Sequence, residues 1–174
     1  MRVPNGTFMQ MAWFVDDIHA AMRHWAEHSG VGPFYYGTRN TLDIVHRGTP
    51  RKLDFRGAIA QAGPIQIELL TQYDAAPSAF RDAFAPGQSG PHHMGSIVED
   101  YDRELENYLK QGFEVAHSGL VGARRFCFVD TRPAFGMMTE LLEDTSDLRD
   151  FFGRIAAASI GWDGTNPYRD RSNW

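Results

Sequence analysis

The chain of 174 residues carries a single cysteine, Cys127. That excludes an internal disulfide framework and suits a reducing, cytoplasmic setting. Its neighbours Phe126 and Phe128 give an alternating pattern, which reads as a packed thiol on a strand rather than a nucleophile. An excess of positive charge is also missing. With 17 Lys and Arg against 22 Asp and Glu, the formal net charge is −5, so there is no basic field to offer nucleic acid. No apolar run approaches the roughly 20 residues that a membrane span needs, and the first six residues do not read as a signal peptide. What is present, 43% hydrophobic and 22% charged residues, is the make-up of a globular domain able to bury a core. Its expected partner is a small molecule.

The periodicity alternates between strands and helices. Residues 7–15 read as a strand, and Asp16-Asp17 then supplies a helix cap. Ile18, Ala21, Met22, Trp25 and Ala26 follow at helical spacing. Strands are expected over 34–36, 53–62 and 65–71, with 39–50 carrying mixed signals. The second half repeats this order. A strand over 92–98 precedes Glu99-Asp100 and a helix whose buried face is Tyr101, Leu105, Tyr108 and Leu109. Strands over 113–117, 124–130 and 135–142 complete it. A short helix over 78–84 lies between the halves, and another over 147–160 precedes a Gly-, Asn- and Pro-rich tail that keeps Trp162, Tyr168 and Trp174. Such a tail is either frayed or laid on a surface through its aromatics.

The two halves share more than element order. Ile65-Gln66-Ile67-Glu68-Leu69-Leu70 returns as Met137-Met138-Thr139-Glu140-Leu141-Leu142. Superposing Gln10 on His93 aligns Val15 with Val98 and Asp17 with Asp100 without a gap. This points to an internal duplication. Four polar residues, Gln10, Glu68, His93 and Glu140, fall at matching points of apolar strands, where alternation sends each to one face. A lone strand Glu is usually solvated, and a lone His is usually a satisfied core residue. Independently exposed residues, however, have no reason to occupy matching positions in two halves. Two carboxylates facing each other in a concave site would repel unless a divalent cation lay between them. Oxygen and imidazole donors suit Zn, Ni, Co, Mn or Fe(II), and no thiolate biases the choice. His92 is expected on the opposite face from His93, in a structural role.

On these residues the chain resembles the vicinal oxygen chelate superfamily, which includes glyoxalase I, methylmalonyl-CoA epimerase, extradiol dioxygenases and bleomycin-resistance proteins. The resemblance spans residues 7–145 and implies an α+β fold. Two βαβββ modules (about 7–72 and 91–145) would form a cupped eight-stranded mixed sheet within a single domain over 1–145, followed by a C-terminal helix and tail over 146–174. The metal ligands it implies sit on the first and last strand of each module, positions that here hold Gln10, Glu68, His93 and Glu140. That set is similar to the one in animal glyoxalase I. Epimerases usually carry His at the first position and often Gln at the second, yet the stretch 30–34 and Pro91-His92-His93 look epimerase-like.

The implied activity is that of an isomerase, epimerase or lyase. One divalent metal, with Zn preferred, would stabilise an enediolate or enolate. Glu140 would be the base and Glu68 its alternative or partner. A homodimer is the common state of such proteins. Two alternatives stand beside this. One is a metal-free binding or resistance protein of the same fold. The other is an Fe(II) extradiol-type dioxygenase, against which Gln10 counts because it replaces the first His of a two-His, one-carboxylate triad. Arg124-Arg125 is either ordinary surface or a contact for a substrate carboxylate or phosphate, such as that of coenzyme A.

Overall fold

The computed structural model describes residues 6–172. The first half runs β1 (Gly6–Phe14), α1 (Ile18–Ser29), β2 (Phe34–Tyr36), β3 (Asn40–His46), β4 (Thr49–Ala62) and β5 (Ile65–Gln72). After α2 (Ala79–Ala83), the second half runs β6 (Gly90–Val98), α3 (Tyr101–Leu109), β7 (Val115–Val121), β8 (Arg124–Val129), α4 (Arg132–Phe135) and β9 (Met138–Glu143). The chain continues into α5 (Ser146–Ser159) and β10 (Tyr168–Asp170). None of these helices is long and apolar enough to cross a membrane.

Eight strands close on themselves in the order β1-β5-β4-β3-β7-β8-β9-β6 and back to β1, while β2 and β10 extend the sheet beside β4. The α+β fold with a mixed sheet is thus the one the resemblance implied. Its closure is a finding of the structure, made by the pairs Ile44–Gly119, Val45–Ser118 and His46–His117 between β3 and β7. The mixed stretch 39–50 resolves into β3, a turn at Arg47-Gly48 and the start of β4, so the first half has one strand more than expected. Arg47 and Gly48 both take positive φ (44° and 79°), the backbone of a two-residue hairpin turn. A second correction concerns Phe135. It lies in the helical turn α4, with Pro133 in its first turn, and is 53% exposed rather than part of a strand.

The duplication is visible in the register. Gln10 stands opposite Gly95 across the β1–β6 pair, and His93 stands opposite Ala12. Beside them, Ala12 pairs with Glu68 on β5, and Gly95 with Glu140 on β9. Each half therefore presents one long polar residue, one small residue and one Glu at the same relative places. Helix α1 covers one outer face with Ile18 and Met22, and α3 covers another with Tyr101 and Tyr108. Both are capped as expected, by Asp17 and Asp100. Leu109 is the exception, exposed where a buried face was expected, while Glu104 is buried. Cys127 is a buried free thiol whose pKa burial pushes up to about 11, as a packed cysteine's should be. The interior holds Phe14, Phe80, Phe126, Phe128, Met138 and Leu142, with Leu148, Phe152 and Ile155 of α5 packed onto them.

Candidate metal centre

Strand alternation carries Glu68 and Glu140 inward while their neighbours Leu69 and Leu141 pack outward beneath the helices. His93 enters from β6 and is fully buried. Its Nε2 stands 3.3 Å from an oxygen of Glu68 and 3.3 Å from one of Glu140, with no hydrogen-bond alignment to a partner. One donor atom from each of the three residues lies within 4.8 Å of the other two. The two carboxylate side chains keep 15% and 10% exposure, through a cavity of about 150 Å³ that they line.

Gln10 lines the same cavity. Its Nε2 donates to Gln66 Oε1 at 3.4 Å, while its own Oε1 is buried without a partner. Gly95 makes room for it, since a Cβ there would lie 2.7 Å from Gln10 Oε1.

The tautomer of His93 follows from its neighbours. His92 Nε2 lies 3.1 Å from the Ala79 carbonyl, which can only accept, so His92 carries its proton there. Burial, and then the charge of His93, hold His92 far below the usual histidine range, leaving its Nδ1 as a lone pair. His93 Nδ1, 2.9 Å away, must therefore donate to it. The remaining nitrogen, Nε2, is the one that faces the two carboxylates. His92 was expected on the opposite face, but its ring instead lies against that of His93, with centroids 5.2 Å apart.

Burial opposes the charge on His93, but Glu140 and Glu68 outweigh it and raise its pKa to about 9. Glu68 is pushed above its usual range by burial and by Glu140, against the pull of His93. An inward-facing imidazole, two carboxylates and an unpaired amide oxygen form a hard and borderline donor set, and that set fits a divalent cation.

A model of the Glyoxalase/Bleomycin resistance protein/Dioxygenase superfamily matches residues 9–128. The chain belongs to this superfamily. Among solved structures it is similar to methylmalonyl-CoA epimerase from Mycobacterium tuberculosis, at 19% identity and a TM-score of 0.58, over 86% of this chain and 96% of that one. It is also similar to a hypothetical protein from Bacillus halodurans C-125, at 15% identity and a TM-score of 0.57, over 82% of this chain and 97% of that one. A further methylmalonyl-CoA epimerase structure matches at 16% identity and a TM-score of 0.51, over 83% of this chain and all of that one. At these identities the likeness is one of fold. No curated protein matches the sequence.

Within this superfamily member, two cavity residues had no signal in the sequence. His117, on β7, is fully buried among Phe80, Phe126 and Phe128, and neither ring nitrogen has a hydrogen-bond partner. Burial pulls its pKa down to about 3, so it is neutral. Arg171 reaches the cavity from the tail. Neither belongs to a repeated pattern, so only their placement reveals them.

Proposed function

We propose that the chain is a divalent-metal-dependent isomerase, epimerase or lyase acting on a small substrate that offers two neighbouring oxygens. The observation that carries this reading is the convergence of Glu68, His93 and Glu140 in the wall of one cavity. Gln10, Glu68, His93 and Glu140 are the proposed ligands. When bound, a divalent cation supplies Lewis-acid stabilisation of the negative charge that develops as a proton leaves carbon.

The chain's own residues divide the remaining work. Glu140 is the proposed base, and Glu68 its partner in an epimerisation that needs a group on each side of the carbon. In the metal-free site burial holds the Glu68 carboxyl above its ordinary range. Phe126 and Phe128 give the cavity an aromatic wall against which an apolar part of the substrate would pack. His117, neutral and unpaired, is packed against the Phe80, Phe126 and Phe128 rings behind that wall.

Elemental analysis of the purified protein is expected to find about one divalent ion per chain. Chelation should then lower the melting temperature, and Zn, Ni, Co or Mn should restore it. Glu140→Gln should abolish turnover while the fold persists. Metal-free protein that gains no thermal stability from any of these ions would overturn the metal-dependent reading. Ligand retention indifferent to chelators would favour a binding protein, and an oxygen-dependent activity restored only by Fe(II) would favour a dioxygenase.

A further inference from the structure

Arg124 and Arg125 are neighbours on β8 but part company there. Arg125 turns outward, donates to Glu143 and Asp102 at 2.7 Å each, and lies over the Tyr101 ring at 4.4 Å. Arg124 lines the cavity. Its contact with a carboxylate is a loose 3.7 Å to Asp147, itself 76% exposed, and its Nε is buried without a hydrogen-bond partner.

Arg171 lines the same cavity, and several features hold it there. The segment before it pairs in parallel with β2 (Tyr168–Phe34, Arg169–Tyr35, Asp170–Tyr36), and its own backbone N–H donates to the Tyr36 carbonyl at 3.1 Å. Its guanidinium lies 5.0 Å from the centre of the Phe151 ring. Gly37 leaves it room, since a Cβ there would lie 3.0 Å from Nε and from one terminal nitrogen. Among the described residues, no carboxylate comes within ion-pair distance of Arg171. Burial lowers its pKa, Glu68 acts against that, and Arg124 lowers it further, so the two guanidinium groups feel each other.

Two cations facing one cavity are unfavourable without an anion between them. A divalent ion held by Glu68 and Glu140 would balance those carboxylates, leaving Arg171 without a counter-ion and Arg124 with only its loose, exposed contact to Asp147. Guanidinium forks match carboxylate oxygens in pairs. The volume, about 150 Å³, is that of a cavity able to hold a benzene-sized body, and Phe55, Phe126, Phe128 and Phe151 line it.

We propose that Arg124 and Arg171 form an anion subsite that holds the carboxylate of a small substrate with an apolar, ring-sized body, Arg171 being delivered by the C-terminal tail. This rests on the reading of the cavity as the substrate site and names the substrate class. A coenzyme A thioester would offer phosphates to the same arginines, and the titration below separates the two sources of negative charge.

The test is calorimetric titration of the full chain with phenylacetate and phenylacetamide, which share a shape and differ in charge. It is run on chelator-treated protein and again with Zn²⁺ added. Phenylacetate is expected to bind about tenfold or more tighter, as charge-assisted hydrogen bonds require. Arg124→Met and Arg171→Met should each remove about tenfold of that affinity and leave phenylacetamide unchanged. Arg171→Lys, which keeps the charge without the fork, should fall between, and an unchanged melting temperature shows that it is folded. Equal binding of the two probes, or phenylacetate binding insensitive to both arginines, would overturn the subsite. Coenzyme A binding that depends on the arginines while phenylacetate binding does not would assign the pair to a phosphate and likewise overturn it. Failure to bind Zn²⁺ with the carboxylate preference intact would sink the metal reading alone.

Discussion

A proton on His93 and a cation in the site compete for one lone pair. His93 has a pKa of about 9 against an ordinary 6.5, so at neutral pH the metal-free site holds the proton, and a cation must expel it. Affinity for Ni²⁺ or Co²⁺, measured by calorimetry, is expected to tighten by up to about tenfold per pH unit from 6.5 toward 9, then level off. The linkage in the metal-free protein runs the other way. Because the folded-state pKa is raised, the stability that protonated His93 contributes is whole below 6.5 and is lost as pH rises through about 9. The melting temperature of chelator-treated protein should therefore fall across that window, with less change in the metal-loaded form. Affinity independent of pH there would show that His93 Nε2 is not the competing atom. The residue types in this competition were legible from strand alternation. The proton's place was not, because it depends on His92 donating to Ala79, a residue on another element.

At the scale of elements, the central register sets the site. Gly95 sits opposite Gln10 and beside Glu140, and its missing side chain is the space the Gln10 amide occupies. Gly95→Ala would place a Cβ 2.7 Å from Gln10 Oε1 and 3.1 Å from Gln10 Cβ, pushing the amide aside. The expected result is metal affinity weakened by about tenfold or more at little loss of helix and strand content, read by metal titration and circular dichroism. Unchanged affinity would remove Gln10 from the ligand set.

Elements with a clean period or cap were legible in advance: α1 from its apolar stripe and Asp17, and β5 and β9 from alternation. The hairpin of β3 and β4 was not. Its polar strand ends and the positive φ at Arg47 carry no propensity signal, and the pairing is decided by a partner strand. Phe135 and Leu109 misled for a related reason, since local hydrophobicity does not say which side a neighbour covers.

Over the whole molecule, the ring closes unevenly. The β1–β6 pair at its centre runs from Gly6–Val98 to Phe14–Gly90, whereas the β3–β7 seam rests on the pairs from Ile44–Gly119 to His46–His117. Native-state hydrogen exchange is expected to show the β3 and β7 amides opening at lower free energy than those of β1 and β6. Equal protection would mean that the ring opens only by global unfolding.

The sequence by itself determined that Gln10, Glu68, His93 and Glu140 fall at matching strand positions, because strand alternation and an internal repeat are written in local spacing, and the resemblance resting on them implied the α+β fold. Only the tertiary structure decided the closure of the ring, the inward turn of Arg124, the unpaired His117 and the arrival of Arg171. Those features arise where distant segments meet, as when Arg169 in the tail donates to Tyr35, 134 residues away, and such contacts leave no periodic trace in the chain.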